Sequence, residues 1–403
     1  MPARRSGKML QGGTVLGMST ENRRPTRRTL LGLAAAWPAL ATAQDEPPKR
    51  LVFPGKRPLL VHNDFPECLE SPPELLTSWI TPNDAFFVRQ HLPRPRINTH
   101  TYRLEVTGSV SRRMSLSLEE LKKLPQHSLG ATMECAGNGR GLFRPKLPGL
   151  QWTKGAIGNA NWRGPRVRDI LALAGGSGAA YLSVNGADTG VGQTPDFVRS
   201  IPMSKAMHEA TIVALEMNGE PLPDLHGHPA RLIVPGWDGA SWVKFLSRME
   251  AAGKPDEGFY MNPAYRMPRN AVAPGKAAKP EELEVIEGMA VKSFITRPAD
   301  QAVVALGRLV VMGIAWAGQE RVERVEFSAD GGSRWQNAEL IGADQPFAWR
   351  TWQAAWSPSR TGYHTLCCRA SDSAGRTQPI EPLWNPSGYL YNAVDRIGLV
   401  VGG

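Results

Sequence analysis

Between Pro268 and Pro280 the chain is mostly proline, glycine, alanine and lysine, with no apolar period. A stretch of that kind offers no face to a core and reads as a linker. It divides the chain into two parts that each have to bury apolar surface of their own. The 403 residues suffice for this, since domains hold roughly 100–200 residues each. With 41% hydrophobic and 21% charged residues the composition is that of ordinary globular chains and argues against disorder.

The two parts differ in pattern. From about Phe86 to Glu250 short strands, helices and glycine turns alternate. Tyr102 to Val106 alternates like a strand. Ser117-Leu118-Glu119-Glu120-Leu121 opens a helix with the form of a capping box. Val167 to Ala174 has helical spacing and stops at Gly175-Gly176, and Arg231 to Val234 is a short apolar strand ended by Pro235-Gly236. Residues 44–80, rich in proline, read as an extended lead-in. Beyond the linker the pattern is all-β. Val322 to Phe327, the turn Asp330-Gly331-Gly332 and the run from Trp335 form a hairpin signal. Tyr363 to Arg369 followed by Asp372 to Gly375 is another strand and turn. The turns recur often enough for a sandwich of about 120 residues. The expected fold is α+β: a mixed α/β domain over 44–275, then an all-β immunoglobulin-like sandwich over 276–403.

The formal charge is +10, of which residues 1–43 supply +6. Thr26-Arg27-Arg28-Thr29-Leu30-Leu31 places paired arginines before an apolar run ending at Leu40. That run is too short for a bilayer, which needs about 20 residues. Ala41-Thr42-Ala43 supplies small residues for cleavage. These features predict a twin-arginine signal over 1–43 and a periplasmic protein, with Met18 as an alternative start. The remaining charge argues weakly for nucleic acid, and no later stretch reads as a membrane span.

Of the four cysteines, Cys68, Cys135, Cys367 and Cys368, the last two are adjacent and make a poor disulfide framework. They read as small packed groups. No Cys-x-x-Cys-His motif is present, so no covalently attached haem is expected.

Three segments carry chemistry. In Met133-Glu134-Cys135-Ala136-Gly137-Asn138-Gly139-Arg140-Gly141 a single cysteine precedes a glycine-rich turn, with an arginine five residues on. Such a turn lets a large ligand approach the sulfur. A guanidinium favours the thiolate, a soft ligand for a transition metal. The second segment, Phe86-Phe87-Val88-Arg89-Gln90-His91-Leu92-Pro93, sets a cation and an imidazole two residues apart, on one face if extended. The third, His226-Gly227-His228-Pro229-Ala230-Arg231 with Lys244, lacks an acid or cysteine to complete a zinc set. A cluster of His, Arg and Lys suits a phosphorylated anion instead.

In order along the chain, these segments, Glu216 to Pro223, Val234-Pro235-Gly236 and Glu381 to Gly388 resemble the sulfite oxidase family over most of residues 80–403. The resemblance implies a molybdenum–molybdopterin cofactor with Cys135 as the metal ligand. It implies that Phe87, Val88, Arg89, Gln90, His91, Asp188, His226, Arg231, Trp242, Val243 and Lys244 hold the pterin and its phosphate. Arg89, Arg140, Trp152, Tyr265 and Arg396 would surround sulfite beside the metal, Arg396 by counting within the last strand. It further implies electron transfer to a separate c-type cytochrome, since the haem domain of animal members has no counterpart expected here. A homodimer joined through about 285–403 is expected, with some of its tryptophans at the interface. A sulfane dehydrogenase subunit shares both domains and stays open as an alternative. Methionine sulfoxide reductases lack the second domain, and a catalytically silent binding module would hold no molybdenum.

Overall fold

The computed structural model describes residues 50–403. The twin-arginine segment and its cleavage site lie outside them. The described residues belong to one compact unit, built mostly of sheet. Its α-helices are short: Leu118–Lys123, Val167–Leu173 and Met203–Ala206.

The lead-in is not a tether. It forms a four-stranded antiparallel sheet from Arg50–Leu51, Leu59–Asn63, Cys68–Glu70 and Val88–Arg89, in that order. These strands are two to five residues long, so no alternating pattern survives in the sequence. The last of them carries Arg89. Glu70, at the end of its strand, is fully buried. Its carboxylate accepts hydrogen bonds from the backbone of Thr153, Lys154 and Gly155 and sits 2.6 Å from His62 Nε2. Burial pushes its pKa up, but the bonds from His62 and Thr153 outweigh burial and hold it below the ordinary value. The lead-in thus fastens the loop that follows Trp152.

The next two sheets form the main body. One holds five strands in the order Val198–Pro202, Tyr181–Gly186, Leu246–Ala252, Arg103–Gly108 and Met114–Ser117. Only its Leu246–Ala252/Arg103–Gly108 pair is parallel. The other pairs the long strands Gln126–Glu134 and Ile157–Pro165 antiparallel, with Glu134 opposite Ile157. That register places Cys135 at the end of a buried strand, where the chain must turn. The capping box forms as expected: Ser117 Oγ accepts from Glu120 N at 3.2 Å and the Glu120 carboxylate accepts from Ser117 N at 2.8 Å. The residues of the large core run from Cys68 to Ile286.

The linker Pro268–Pro280 is a loop closed by its own ends. Arg266–Pro268 pairs antiparallel with Leu283–Val285. Beyond it, a four-stranded sheet (Lys292–Arg297, Leu309–Trp316, Arg350–Trp356, Glu339–Ile341) and a five-stranded sheet (Ala302–Ala305, Asp395–Gly402, Gly362–Asp372, Val322–Ser328, Gln336–Asn337) enclose one core. A third cluster, with Leu76 and Ile157 against Met289, Phe294, Ile314, Trp316 and Trp349, joins the two bodies. Trp316, Trp349 and Trp352 are fully buried and Trp335, Trp356 and Trp384 half-buried. The three buried ones serve the cores, while Trp335, Trp356 and Trp384 keep part of their surface open. Cys367 and Cys368 are buried and unpaired.

Candidate active site

Where the strand Gln126–Glu134 ends, the chain reverses. Asn138 N donates to Cys135 O at 2.8 Å, and Gly139 takes the left-handed conformation, φ 91°. Cys135 N donates to Ala156 O at 2.9 Å, and Asn138 Oδ1 accepts from Ala156 N at 3.1 Å. Glu134, next to the cysteine, is buried. It accepts from Asn138 Nδ2 at 2.9 Å, from Trp316 Nε1 at 2.8 Å and from Lys292 Nζ at 3.2 Å. The turn is therefore braced from the sandwich. Leu390 N donates to Ala136 O at 2.8 Å, which draws residues 385–391 over the same turn.

Cys135 stands in the wall between two hollows. The inner cavity is lined by Phe87, Val88, Arg89, Gln90, His91, Cys135, Asp188, His226, Arg231, Trp242, Val243, Lys244 and Tyr265. Met133, Phe197, Leu225, Gly239 and Ala240 complete its wall. The outer cleft is lined by Arg89, Cys135, Gly137, Arg140, Pro148, Gly149, Leu150, Trp152, Tyr265, Pro386, Ser387 and Tyr389. Arg89, Cys135 and Tyr265 face both. A bound group in the inner cavity would meet a ligand in the cleft only there.

The inner cavity carries more positive charge than it neutralises. Its one carboxylate is Asp188, raised to about 6 by burial against the pull of Lys244. Burial brings Arg231 down to about 9 and Lys244 well below its ordinary value. His91 and His226 are likewise held neutral, by burial first and neighbouring cations second. Gln90 Nε2 and Oε1 and Arg231 Nε are buried without a partner. Such orphans and crowded cations are costly unless an anion satisfies them. The donors suit a phosphate, and the unpartnered amide of Gln90 suits a polar ring edge. The residues therefore fit a phosphorylated pterin, with Cys135 placed to ligate its metal. Burial raises the Cys135 thiol pKa, while Arg89, the backbone of Gly137 and Arg140 pull it down. A metal cation would settle that contest toward thiolate. Lys56, in the lead-in, also belongs here: its Nζ lies 2.6 Å from His226 Nε2. Among the described residues no cluster of three His, Cys, Asp or Glu side chains offers a zinc site.

The outer cleft is a small basic pocket with aromatic walls. Arg140 Nε donates to Ser387 O at 3.0 Å, and its guanidinium lies 5.1 Å from the Tyr389 ring centre. A Cβ at Gly137 would stand 2.9 Å from Arg140 Nη1, and one at Gly388 2.8 Å from its Cγ, so both positions stay bare to admit the arginine. Trp152 is fully buried, its ring 4.6 Å from that of His62. Tyr265 takes φ 55°, a left-handed conformation uncommon outside glycine, of the kind that clusters at working sites. Its hydroxyl lies 2.5 Å from His91 Nε2, and its ring stacks on Tyr389, centroids 5.6 Å apart. Burial keeps Tyr265 protonated far above its ordinary pKa despite Arg89.

Arg396 lies elsewhere. It is exposed on Asp395–Gly402 and pairs across the sheet with Cys367, lining neither hollow. The C-terminal chain does reach the cleft, but through Pro386, Ser387 and Tyr389. Counting within the last strand overshot because the closing residues lie in the irregular segment before it. Sequence reasoning also missed Lys56, Glu134, Asn138, Lys292 and Tyr389. Two had signals: the Asn of the Cys-Ala-Gly-Asn turn, and the acid beside the cysteine, which needs a buried partner.

Comparison with known proteins agrees with this geometry. The model of the oxidoreductase molybdopterin binding domain matches residues 91–260, and that of the Mo-co oxidoreductase dimerisation domain matches 283–401. Fold and site together define a molybdopterin-binding oxidoreductase. The chain is 36% identical to the Gallus gallus sulfite oxidase over 385 residues, 89% of this chain and 81% of the relative. It is 38% identical to the mitochondrial sulfite oxidase of Mus musculus over 363 residues, 85% of this chain and 66% of the relative. It therefore spans just under two thirds of that mouse protein. Among solved structures, the sulfane dehydrogenase SoxCD from Paracoccus pantotrophus aligns with TM-score 0.73 and 29% identity, covering 92% of this chain and 96% of that one. The chain belongs to the sulfite oxidase family.

Proposed function

We propose that the protein oxidises sulfite to sulfate. The reaction takes sulfite and water to sulfate, two protons and two electrons. The observation that carries this reading is the shared wall: a cysteine, an arginine and a protonated tyrosine face both a cation-rich cofactor cavity and a basic cleft. When bound, the molybdenum–pterin supplies the oxygen-atom and two-electron chemistry. The protein's own groups do the rest. Arg89 and Arg140 neutralise a small dianion. Trp152 and Tyr389 wall the cleft and exclude water. Tyr265, held by neutral His91, keeps a proton at the point where the two hollows meet and is the group placed to move it.

Electrons would leave to an external carrier, most simply a periplasmic c-type cytochrome. Export by the twin-arginine route rests on Arg27-Arg28 and Ala41-Thr42-Ala43. The domain limits 44–275 and 276–403, with the second an immunoglobulin-like sandwich, are supported by the loop 268–280 that separates most of the two cores, although the first core reaches Ile286. A homodimer through that sandwich is supported by a patch in register across three strands. Val303 pairs with Val400 and Val400 with Tyr363, and the three are 76%, 41% and 57% exposed. Val400→Asp should turn a dimer into a monomer in light scattering. A wild-type chain that is monomeric at every concentration would remove the dimer.

A sulfane dehydrogenase activity is the second reading, favoured by the similarity to SoxCD over nearly the whole chain. Steady-state assay of the purified protein with ferricyanide decides between them. Sulfite should support turnover and yield sulfate. Turnover with a carrier-bound sulfane and none with sulfite would reverse the order.

A further inference from the structure

One buried cation has no part in the reaction as described. Lys56, 7% exposed, donates from Nζ to Asn83 O at 2.6 Å and to Phe86 O at 2.7 Å, and its third contact is His226 Nε2 at 2.6 Å. An ammonium has three hydrogens and no lone pair, so the third contact forms only if Nε2 accepts. A neutral imidazole with a bare Nε2 carries its proton on Nδ1. His226 is neutral, because burial first, and then the charges of Lys56, Arg231 and Lys244, hold its pKa well below the ordinary value. Among the described residues Nδ1 has no hydrogen-bond partner, while His226 lines the inner cavity and Lys56 does not. A rival partner exists: Asn83 O lies 3.3 Å from the same Nε2. A carbonyl only accepts, so it would select the opposite tautomer and turn Nδ1 into a lone pair. The two neighbours of Nε2 thus demand opposite tautomers, and the shorter contact belongs to the lysine.

We propose that Lys56 is a positioning residue that fixes His226 in the Nδ1–H tautomer, so that the imidazole offers the inner cavity a donor for a phosphorylated ligand. This rests on the reading that the cavity takes a phosphate-bearing pterin. Loss of the lysine would hand Nε2–H to Asn83 and set a lone pair against the phosphate oxygens.

The test is nitrogen-15 NMR of the purified full chain labelled at histidine, with His226 assigned by the signal missing from His226→Gln. At pH 6 Lys56 is charged, since burial brings it to about 7 against the opposing pull of Asp84. The wild type should then show His226 protonated at Nδ1 and bare at Nε2. In Lys56→Met the proton should move to Nε2, and pterin retained through repeated gel filtration should fall about 10- to 150-fold, the span of one hydrogen bond to a charged group. A wild-type His226 protonated at Nε2 overturns the proposal, and it does so even if Lys56→Met does not fold. A tautomer unchanged in Lys56→Met, or a changed tautomer with full pterin retention, overturns it too. A wild type that binds no pterin would instead sink the cofactor reading and leave the tautomer legible.

Discussion

The inner cavity draws its chemistry from three short runs, 87–91, 226–231 and 242–244, together with Cys135, Asp188 and Tyr265, all before the linker. The outer cleft is closed by residues from the far end of the chain: Arg140 bonds the carbonyl of Ser387, 247 positions away. The cavity sets Arg89, Arg231, Lys244 and Asp188 among apolar and aromatic walls. The cleft holds one arginine of its own besides Arg89, and its shape depends on backbone carbonyls, glycines and stacked rings. The comparison teaches that binding a large anion and positioning a small one are separable jobs, joined at Arg89, Cys135 and Tyr265.

Variants on each side should fail differently. The largest effect is expected at the brace behind the shared wall. Lys292→Met leaves Glu134 buried without its cation, which costs about 3–5 kcal/mol. Thermal unfolding should show it as a fall in stability, with Cys135 and Arg140 untouched in sequence. A melting curve like the wild type's would mean that the sandwich does not brace the cysteine turn. Arg140→Gln should come next. It removes a charge-assisted contact to the oxyanion and should raise KM for sulfite about 10- to 150-fold, with molybdenum content unchanged. Arg231→Met should do the converse, lowering metal content while the loaded fraction keeps its KM. If both variants lose metal, or both raise KM, the two hollows are one site. The smallest effect belongs to Arg396→Ala. An exposed strand residue away from the cleft should change KM by less than about twofold, and a large rise would return Arg396 to the pocket.

The same contrast explains what the sequence revealed. The cavity was legible because its residues sit in compact runs whose spacing survives any fold: Arg89 and His91 two apart, His226 and Arg231 five apart. The helix at Ser117, the stop at Gly175 and the hairpin at Asp330 were legible through local rules of capping and turns. The cleft was legible only on its near side. Tyr389 and Ser387 act through ring stacking and a carbonyl, which leave no periodic trace, and Arg396 rests on nothing more than counting within the last strand. Lys56 and Glu70 were hidden for a different reason. Lys56 sits in the loop between Arg50–Leu51 and Leu59–Asn63, and strands of two to five residues carry little alternation, so the lead-in reads as extended chain although Lys56 stands behind His226.

The central claim is that Cys135 ligates molybdenum at the junction of the two hollows. Molybdenum analysis joined to X-ray absorption at the metal edge tests it most directly, on wild type and Cys135→Ser. The account predicts molybdenum equimolar with the chain in the wild type, one sulfur ligand fewer in the variant, and no more than a few per cent of wild-type sulfite turnover, since a hydroxyl is a poor soft-metal ligand. A wild type without molybdenum, or a variant with the same sulfur count and full turnover, would contradict it.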